Sequence, residues 1–274
     1  MKTAALPAQI DVPLLRRDLR ADGVLVLTLA RPQARNALSI AMLDALSAAF
    51  AEIAADRSVR VVVLAAEGPA FSSGHDLKEI TAARNGADKG RAVFEETLSR
   101  CAAMMQQVVA LPQPVIAAVE GIASAAGCQL VATCDLAIAG AHAQFCTPGV
   151  NIGLFCSTPM VALSRNLSRK HAMEMLLSGD MFDAREAERF GLVNRVVEAG
   201  GALEAALALA GKIASKSALT VKIGKRAFYE QAEMKLSDAY DYASRVMVEN
   251  LLARDADEGI SAFVQKRPPS WEDR

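Results

Sequence analysis

Two segments pair an apolar run with a turn of glycine, serine and alanine and then a helical stretch: VVVLAAEGPAFSSGHDL (61–77) and PVIAAVEGIASAAGCQL (114–130). A strand-to-helix turn exposes backbone N–H groups at the helix start, where the dipole also favours negative charge. Two such turns side by side, at the carboxyl ends of parallel strands, would aim two N–H donors at one point. That arrangement is an oxyanion hole, able to stabilise an enolate or a tetrahedral oxyanion. Small residues let a substrate approach the backbone there. Spacing alone does not separate this from two ordinary turns of an α/β protein.

A third segment is marked by what it lacks. FCTPGVNIGLFCSTP (145–159) contains no acidic or basic side chain, and no Asp, Glu, Lys or Arg stands between Asp135 and Arg165 in a chain that is 22% charged. With Pro, Gly, Asn, Ser and Thr in it, the stretch reads as a loop lining something that excludes charge. Within it Cys156, followed by Ser157 and Thr158, offers a nucleophile or weak acid, although no histidine is close in sequence to activate the thiol. A buried, inert cysteine is the other reading. His75, one of three histidines, could act as a general base through its ring or serve only through its backbone amide.

These segments need elements to hold them. VLVLTLA (24–30), VRVVVLAAEG (59–68), PVIAAVEG (114–121) and DLAIAG (135–140) read as buried strands. Amphipathic helices follow Ser39 and Asp76, which are placed to cap them, and a charged helical stretch spans about 91–110. Strands alternating with helices predict an α/β fold with a largely parallel sheet covered on both faces. Beyond Gly200 the pattern is helix only. The expected organisation is a disordered N-terminal arm over 1–20, an α/β core over 21–200 and a helical C-terminal region over 201–274. That last piece is too thin for a core of its own and is expected to pack on a neighbouring subunit.

Composition excludes several classes. A net charge of −1 and a pI near 6.3 give no polyanion-binding signature, so no nucleic-acid partner is expected. No apolar run reaches the length of a membrane span. The five cysteines form no C-x-x-C pair, and with so few histidines no metal site is expected. The N-terminal residues lack the features of a secretory or transit peptide, which predicts a cytoplasmic location. Neither phosphate-binding glycine motif of the nucleotide-binding folds is present.

From Gly23 to Arg267 the chain resembles the enoyl-CoA hydratase/isomerase (crotonase) superfamily. RPQARNAL, FSSGHDLKEI, PVIAAVEGIASAAGCQLVATCDLAIA, AQFCTPGVNIGL, AMEMLLSGDMFDAREAERFGLVNRVV and EGISAFVQKR fall in the order and spacing of that family. The likeness is strongest to one subgroup, down to AAGCQL and TPGVNIGLFCSTP. The resemblance implies a ClpP-like spiral of ββα units with a C-terminal all-helical trimerisation region, assembling as a homotrimer or as a dimer of trimers. It implies that a thioester oxygen accepts from the backbone N–H of His75 and of Ala126, the latter standing where the family usually has glycine. Arg35, His75, Asp76, Leu77, Lys78 and Ala126 would line the acyl-CoA site. Phe263 and Lys266 would reach the adenine and phosphate ends of CoA from a neighbouring helix.

The resemblance also explains the loop without charge. Hydratases of the family use two glutamates, whose positions here are Gln129 and Gly149. Water addition needs a positioned base and a proton donor; Gln129 can hold a water but cannot take a proton, and Gly149 has no side chain. Some relatives, the dihydroxynaphthoyl-CoA synthases, also have glycine at the second position. They use a bound bicarbonate there, with an acid at the position of Cys156. A small anion such as bicarbonate, or ordered waters, is therefore expected in a wet cavity near Gly149, bounded by Gln129, Asn151 and Cys156. No other cofactor is expected, coenzyme A thioester being substrate. The expected function is an acyl-CoA thioester-binding protein of fatty-acid metabolism with weak or altered hydratase activity. The alternative is a non-catalytic acyl-CoA-binding or regulatory protein. Restoring glutamate at both positions is expected to raise the rate more than at either alone, the Gly149 change being limited by a φ > 0 backbone.

Overall fold

The computed structural model describes residues 13–274. The chain opens with β1 (Leu15–Leu19) and β2 (Val24–Leu29), paired antiparallel. The expected arm over 1–20 is thus corrected: residues 15–19 form a strand, and residues 1–12 lie outside the described residues. An edge strand of sequence LRRDL with almost every side chain exposed has no buried face to mark its period. Next comes α1 (Ile40–Ala55), capped by Ser39, whose side chain accepts from the Met42 N–H.

Three ββα units follow. The first is β3 (Val61–Ala66), β4 (Ala70–Ser72) and α2 (Leu77–Ala83), with α3 (Arg91–Ala110) leading to the next. The second is β5 (Val115–Val119), β6 (Ile122–Ser124) and α4 (Ala126–Thr133). The third is β7 (Leu136–Gly140), β8 (Gln144–Cys146) and α5 (Ser157–Asn166). After α6 (Arg169–Ser178), β9 (Phe182–Asp183), α7 (Ala184–Phe190) and β10 (Arg195–Val197) come only helices. These are α8 (Ala202–Ala214), α9 (Ala218–Ala232), α10 (Leu236–Leu251) and α11 (Arg254–Gln265).

The two strands of each unit go to different sheets. The first strands join a six-stranded sheet of order β1-β2-β3-β5-β7-β10, the second strands a four-stranded sheet of order β4-β6-β8-β9. Neighbouring units pair in parallel in both sheets. Each unit therefore advances one place in two sheets at once, which is the expected spiral of ββα units.

Alternate residues of the large sheet serve opposite faces. Leu25, Leu27, Leu29, Val62 and Leu64 pack into one cluster with Met42, Leu46 and Phe50 of α1 and Met104 and Val108 of α3. Val24, Val26, Val61 and Val63 pack against Ala202, Ala206, Ala210 and Ala214. That alanine stripe at four-residue spacing lets α8 lie close on the sheet. The packing boundary accordingly falls after α8 and not near Gly200; in sequence an alanine stripe looks the same whether it faces a sheet or another helix.

Beyond α8, neither α9 nor α10 buries a residue. One buried ion pair ties α9 to the core. Lys225 Nζ donates to Val108 O at 3.0 Å, Gln113 O at 3.1 Å and Asp135 Oδ2 at 2.7 Å. Tyr229 OH donates to Asp135 Oδ1 at 2.9 Å. Large apolar side chains stay uncovered on these helices, with Leu252 82% and Phe263 85% exposed. Among the described residues no helix is long and apolar enough to cross a membrane.

Candidate active site

The first turn runs from Ser72 to Asp76, between β4 and α2, and is braced by the segment 35–38. Ser72 Oγ donates to Asn36 O at 2.8 Å, Ser73 N–H to Arg35 O at 3.0 Å and Leu38 N–H to Gly74 O at 2.8 Å. Asn36 is the hub of that segment. It is fully buried, its Oδ1 accepts from Arg31 N–H at 2.9 Å, and its Nδ2 donates to Glu67 O and Ala70 O, each at 2.9 Å. Arg35 and Asn36 both adopt φ of 50°, a left-handed conformation that these hydrogen bonds help to hold in place. Sequence reasoning missed Asn36; a lone polar residue after Pro32 gives no sign of burial. Asp76 caps α2 as expected, accepting from Lys78 N–H at 2.9 Å.

The second turn joins β6 to α4 through Ala125, whose φ of 49° and ψ of −116° are unusual for a residue with a side chain. Its N–H donates to Cys146 O at 2.9 Å, which fixes this turn against the third unit. The two turns touch. A β-carbon at Gly74 would lie 3.2 Å from Ala126 N, and one at Gly127 only 2.3 Å from Ser72 O. Glycine is required at both places because the turns approach so closely. Among the hydrogen bonds of the described residues, none uses the N–H of His75 or of Ala126 as donor.

One turn into α4 from Ala126 stands Gln129, 5% exposed, with an Oε1 that has no partner. His75 Nδ1 lies 3.4 Å from Leu38 O, which assigns the proton to Nδ1 and leaves Nε2 as a buried acceptor, also without a partner. Burial lowers the His75 pKa, against smaller opposing effects of Leu38 O and Glu79. A depressed folded-state pKa contributes stability that is present above the ordinary value near 6.5 and is lost as pH falls through the folded value. The melting temperature should therefore drop between pH 7 and pH 5 by more in the wild type than in His75→Asn; parallel pH profiles would show that His75 does not titrate on unfolding.

The charge-free loop corrects the sequence reading. Residues 148–152 form a 3-10 turn, and Leu154 N–H returns to Gly149 O at 2.9 Å. A β-carbon at Gly149 would lie 2.8 Å from Leu154 O and 2.9 Å from Cys156 Sγ. The space directly against the Gly149 α-carbon is thus taken, and Asn151 Nδ2 donates to Gly179 O at 3.3 Å. Gly149 also does not have the positive φ expected of it, in contrast to Gly153 at 76°; its constraint is steric. Cys156 is 8% exposed, and burial raises its pKa while the Gly149 N–H pulls the other way.

Arg35, Leu77 and Lys78 are exposed around the first turn. Phe263 lies on α11 and Lys266 at its C-cap. No hydrogen bond or ion pair among the described residues joins them to residues 35–78. The structure gathers His75, Ala126, Gln129, Gly149 and Cys156 around adjoining turns and leaves Phe263 and Lys266 apart.

Stacked ββα units whose strand–helix corners meet, followed by projecting helices, are the architecture of the crotonase fold. The comparisons agree. The sequence pattern of the enoyl-CoA hydratase/isomerase family matches residues 20–274. An enoyl-CoA hydratase from Mycobacterium smegmatis is similar in structure, with a TM-score of 0.90 and 50% identity, over 95% of this chain and 99% of that one. The human enoyl-CoA hydratase domain-containing protein 3 superposes with a TM-score of 0.89 and 44% identity, over 94% of this chain and 100% of that one. Its rat counterpart is 47% identical over 259 residues, 94% of this chain and 85% of the relative. The chain belongs to the enoyl-CoA hydratase/isomerase family, in the subgroup of enoyl-CoA hydratase domain-containing protein 3. The rat and human relatives are named mitochondrial, which overturns the expected cytoplasmic location.

Proposed function

We propose that this protein binds acyl-CoA thioesters and is a weak or altered hydratase, the thioester oxygen accepting from the N–H groups of His75 and Ala126. The observation that carries the reading is the pair of unused N–H groups on touching turns at the starts of α2 and α4. An oxygen that gains negative charge in an enolate is the acceptor such a pair favours. Exposed Ile152, Leu154 and Phe155 on the Gly149 loop supply apolar surface for the acyl chain. Arg35 and Lys78 supply positive charge for phosphates. Gln129 and Gly149, neither able to take a proton, favour the second reading of a non-catalytic acyl-CoA-binding protein.

Phe263 and Lys266 would complete the site from a second copy, in a homotrimer or a dimer of trimers. Support comes from exposed Leu236 and Tyr240 of α10, Leu252 at its C-cap and Phe263 of α11, apolar surface of the kind that marks an interaction site. Calorimetric titration with saturated butyryl-CoA, alongside sedimentation, tests both statements. The wild type should bind as an oligomer. Leu252→Asp should dissociate it and weaken binding by about tenfold or more, about 1.4 kcal/mol. A monomeric variant with unchanged affinity would place the whole site in one chain, and no binding by the wild type would remove the acyl-CoA reading.

A further inference from the structure

The volume that a side chain at Gly149 would enter is occupied by a thiol. A β-carbon there would stand 2.9 Å from Cys156 Sγ, so the sulfur lies against the Gly149 α-carbon, where the second catalytic group of a two-glutamate site would begin. The loop is built to bring it there: Gly153 turns the chain at φ 76°, Leu154 N–H closes on Gly149 O, and Cys156 becomes the residue before α5. At the start of a ten-residue helix the local dipole favours developing negative charge on sulfur.

Gln129 is a second, independent observation pointing to the same place. The helices α4 and α5 lie alongside each other in the same direction: Asn166 Nδ2 near the end of α5 donates to Ala132 O near the end of α4 at 2.8 Å, while Cys156 and Cys128, near their starts, are close enough to interact. Helical side chains lean toward the N-terminus. Gln129 therefore carries its unpartnered, buried Oε1 toward the end at which Cys156 and the free Ala126 N–H stand. A ligand or an ordered water at that end would satisfy the oxygen.

We propose that Cys156 is a covalent acceptor site for α,β-unsaturated acyl thioesters, adding across their carbon–carbon double bond while the thioester oxygen rests on the His75 and Ala126 N–H groups. This rests on the acyl-CoA reading above. Sulfur forms a bond to the β-carbon, and the π pair moves through the α-carbon onto the carbonyl oxygen as an enolate. The thiol proton passes through solvent to the α-carbon as the carbonyl re-forms. No oxidant, reductant or leaving group is involved: the S–H bond and one π bond are exchanged for C–S and C–H bonds, and CoA stays attached. Elimination in reverse releases the ligand. Burial raises the pKa of all five thiols; Cys156 is the one whose sulfur accepts from a backbone N–H, that of Gly149, and this contact favours the thiolate, the nucleophilic form.

The test is intact-protein mass spectrometry on the full-length chain incubated with crotonyl-CoA, followed by peptide mapping. The expected result is a gain of one whole crotonyl-CoA per chain, located on Cys156, with no gain from butyryl-CoA, which has no double bond. Cys156→Ala and Cys156→Ser should both lose the adduct, and Cys101→Ala should keep it. Mapping on the wild type needs no variant to fold. If butyryl-CoA binds non-covalently but crotonyl-CoA leaves Cys156 unmodified, or modifies another residue instead, the covalent site is overturned and the acyl-CoA reading stands. If butyryl-CoA does not bind at all, both are overturned.

Discussion

Crotonyl-CoA should be bound by this protein and hydrated slowly, with a kcat about 10²–10⁴-fold below that of a relative that keeps both glutamates, since general acid–base groups contribute on that order. The free N–H groups of His75 and Ala126 should hold the affinity within a modest factor, because they already bind the thioester oxygen in the ground state and do not depend on the lost acids. The deficit should thus lie in kcat rather than in KM. Steady-state assays of the two proteins side by side decide it, and a turnover number within tenfold of the relative's would sink the reading.

The same geometry changes what a rescue should look like. Gln129→Glu puts a carboxylate where an unpartnered amide oxygen already sits, so it should raise the rate, with a pKa elevated by the buried setting. Adding Gly149→Glu should then lower the rate rather than raise it further, against the expectation from sequence. Its β-carbon would meet Leu154 O at 2.8 Å and Cys156 Sγ at 2.9 Å. The sulfur can rotate away, but the carbonyl belongs to a turn closed on Gly149 itself. Overpacking of that kind costs roughly 1–3 kcal/mol.

The long first strands were legible because Val61–Ala66 and Val115–Val119 are apolar throughout, as a sheet covered on both faces requires. The three-residue strands Ala70–Ser72, Ile122–Ser124 and Gln144–Cys146 were not. Three residues carry no measurable period, and each strand lies inside a segment that reads as a turn. For the same reason the second sheet was reached only through the resemblance to a family. In the site, glycine and alanine spacing pointed to the two turns, but it could not reveal what props them. Asn36 acts through main-chain oxygens 31 and 34 residues away, and Cys156 meets Gly149 only because the intervening loop folds back. Contacts fixed by tertiary closure leave no local pattern in the chain.

The attachment of α9 is of that kind, and its loss should have the largest effect on stability. Lys225 has 7% of its side-chain surface exposed, and its ammonium group is surrounded by Val108 O, Gln113 O and Asp135 Oδ2. Burial depresses its pKa, and the Asp135 carboxylate opposes this. The other carboxylate contacts are the Tyr229 OH and the Val115 N–H, the latter at 2.7 Å. Asp135 sits just past α4, which carries Ala126 and Gln129, so the pair pins the helical region to the root of the candidate site. Lys225→Met keeps the length of the side chain but leaves Asp135 charged and nearly buried. Removing one member of such a pair costs about 3–5 kcal/mol. Adding Asp135→Asn, which can still accept from Val115 N–H, should recover much of that loss, because the damage lies in the uncompensated charge. Tyr229→Phe alone should cost only about 1 kcal/mol, one hydrogen bond. Denaturant melts at one fixed protein concentration measure all four proteins on the same footing, as an oligomer requires. A loss below about 1 kcal/mol for Lys225→Met, or a double variant weaker than the single, would show that the pair is solvated in the assembled protein and that α9 is held by other contacts.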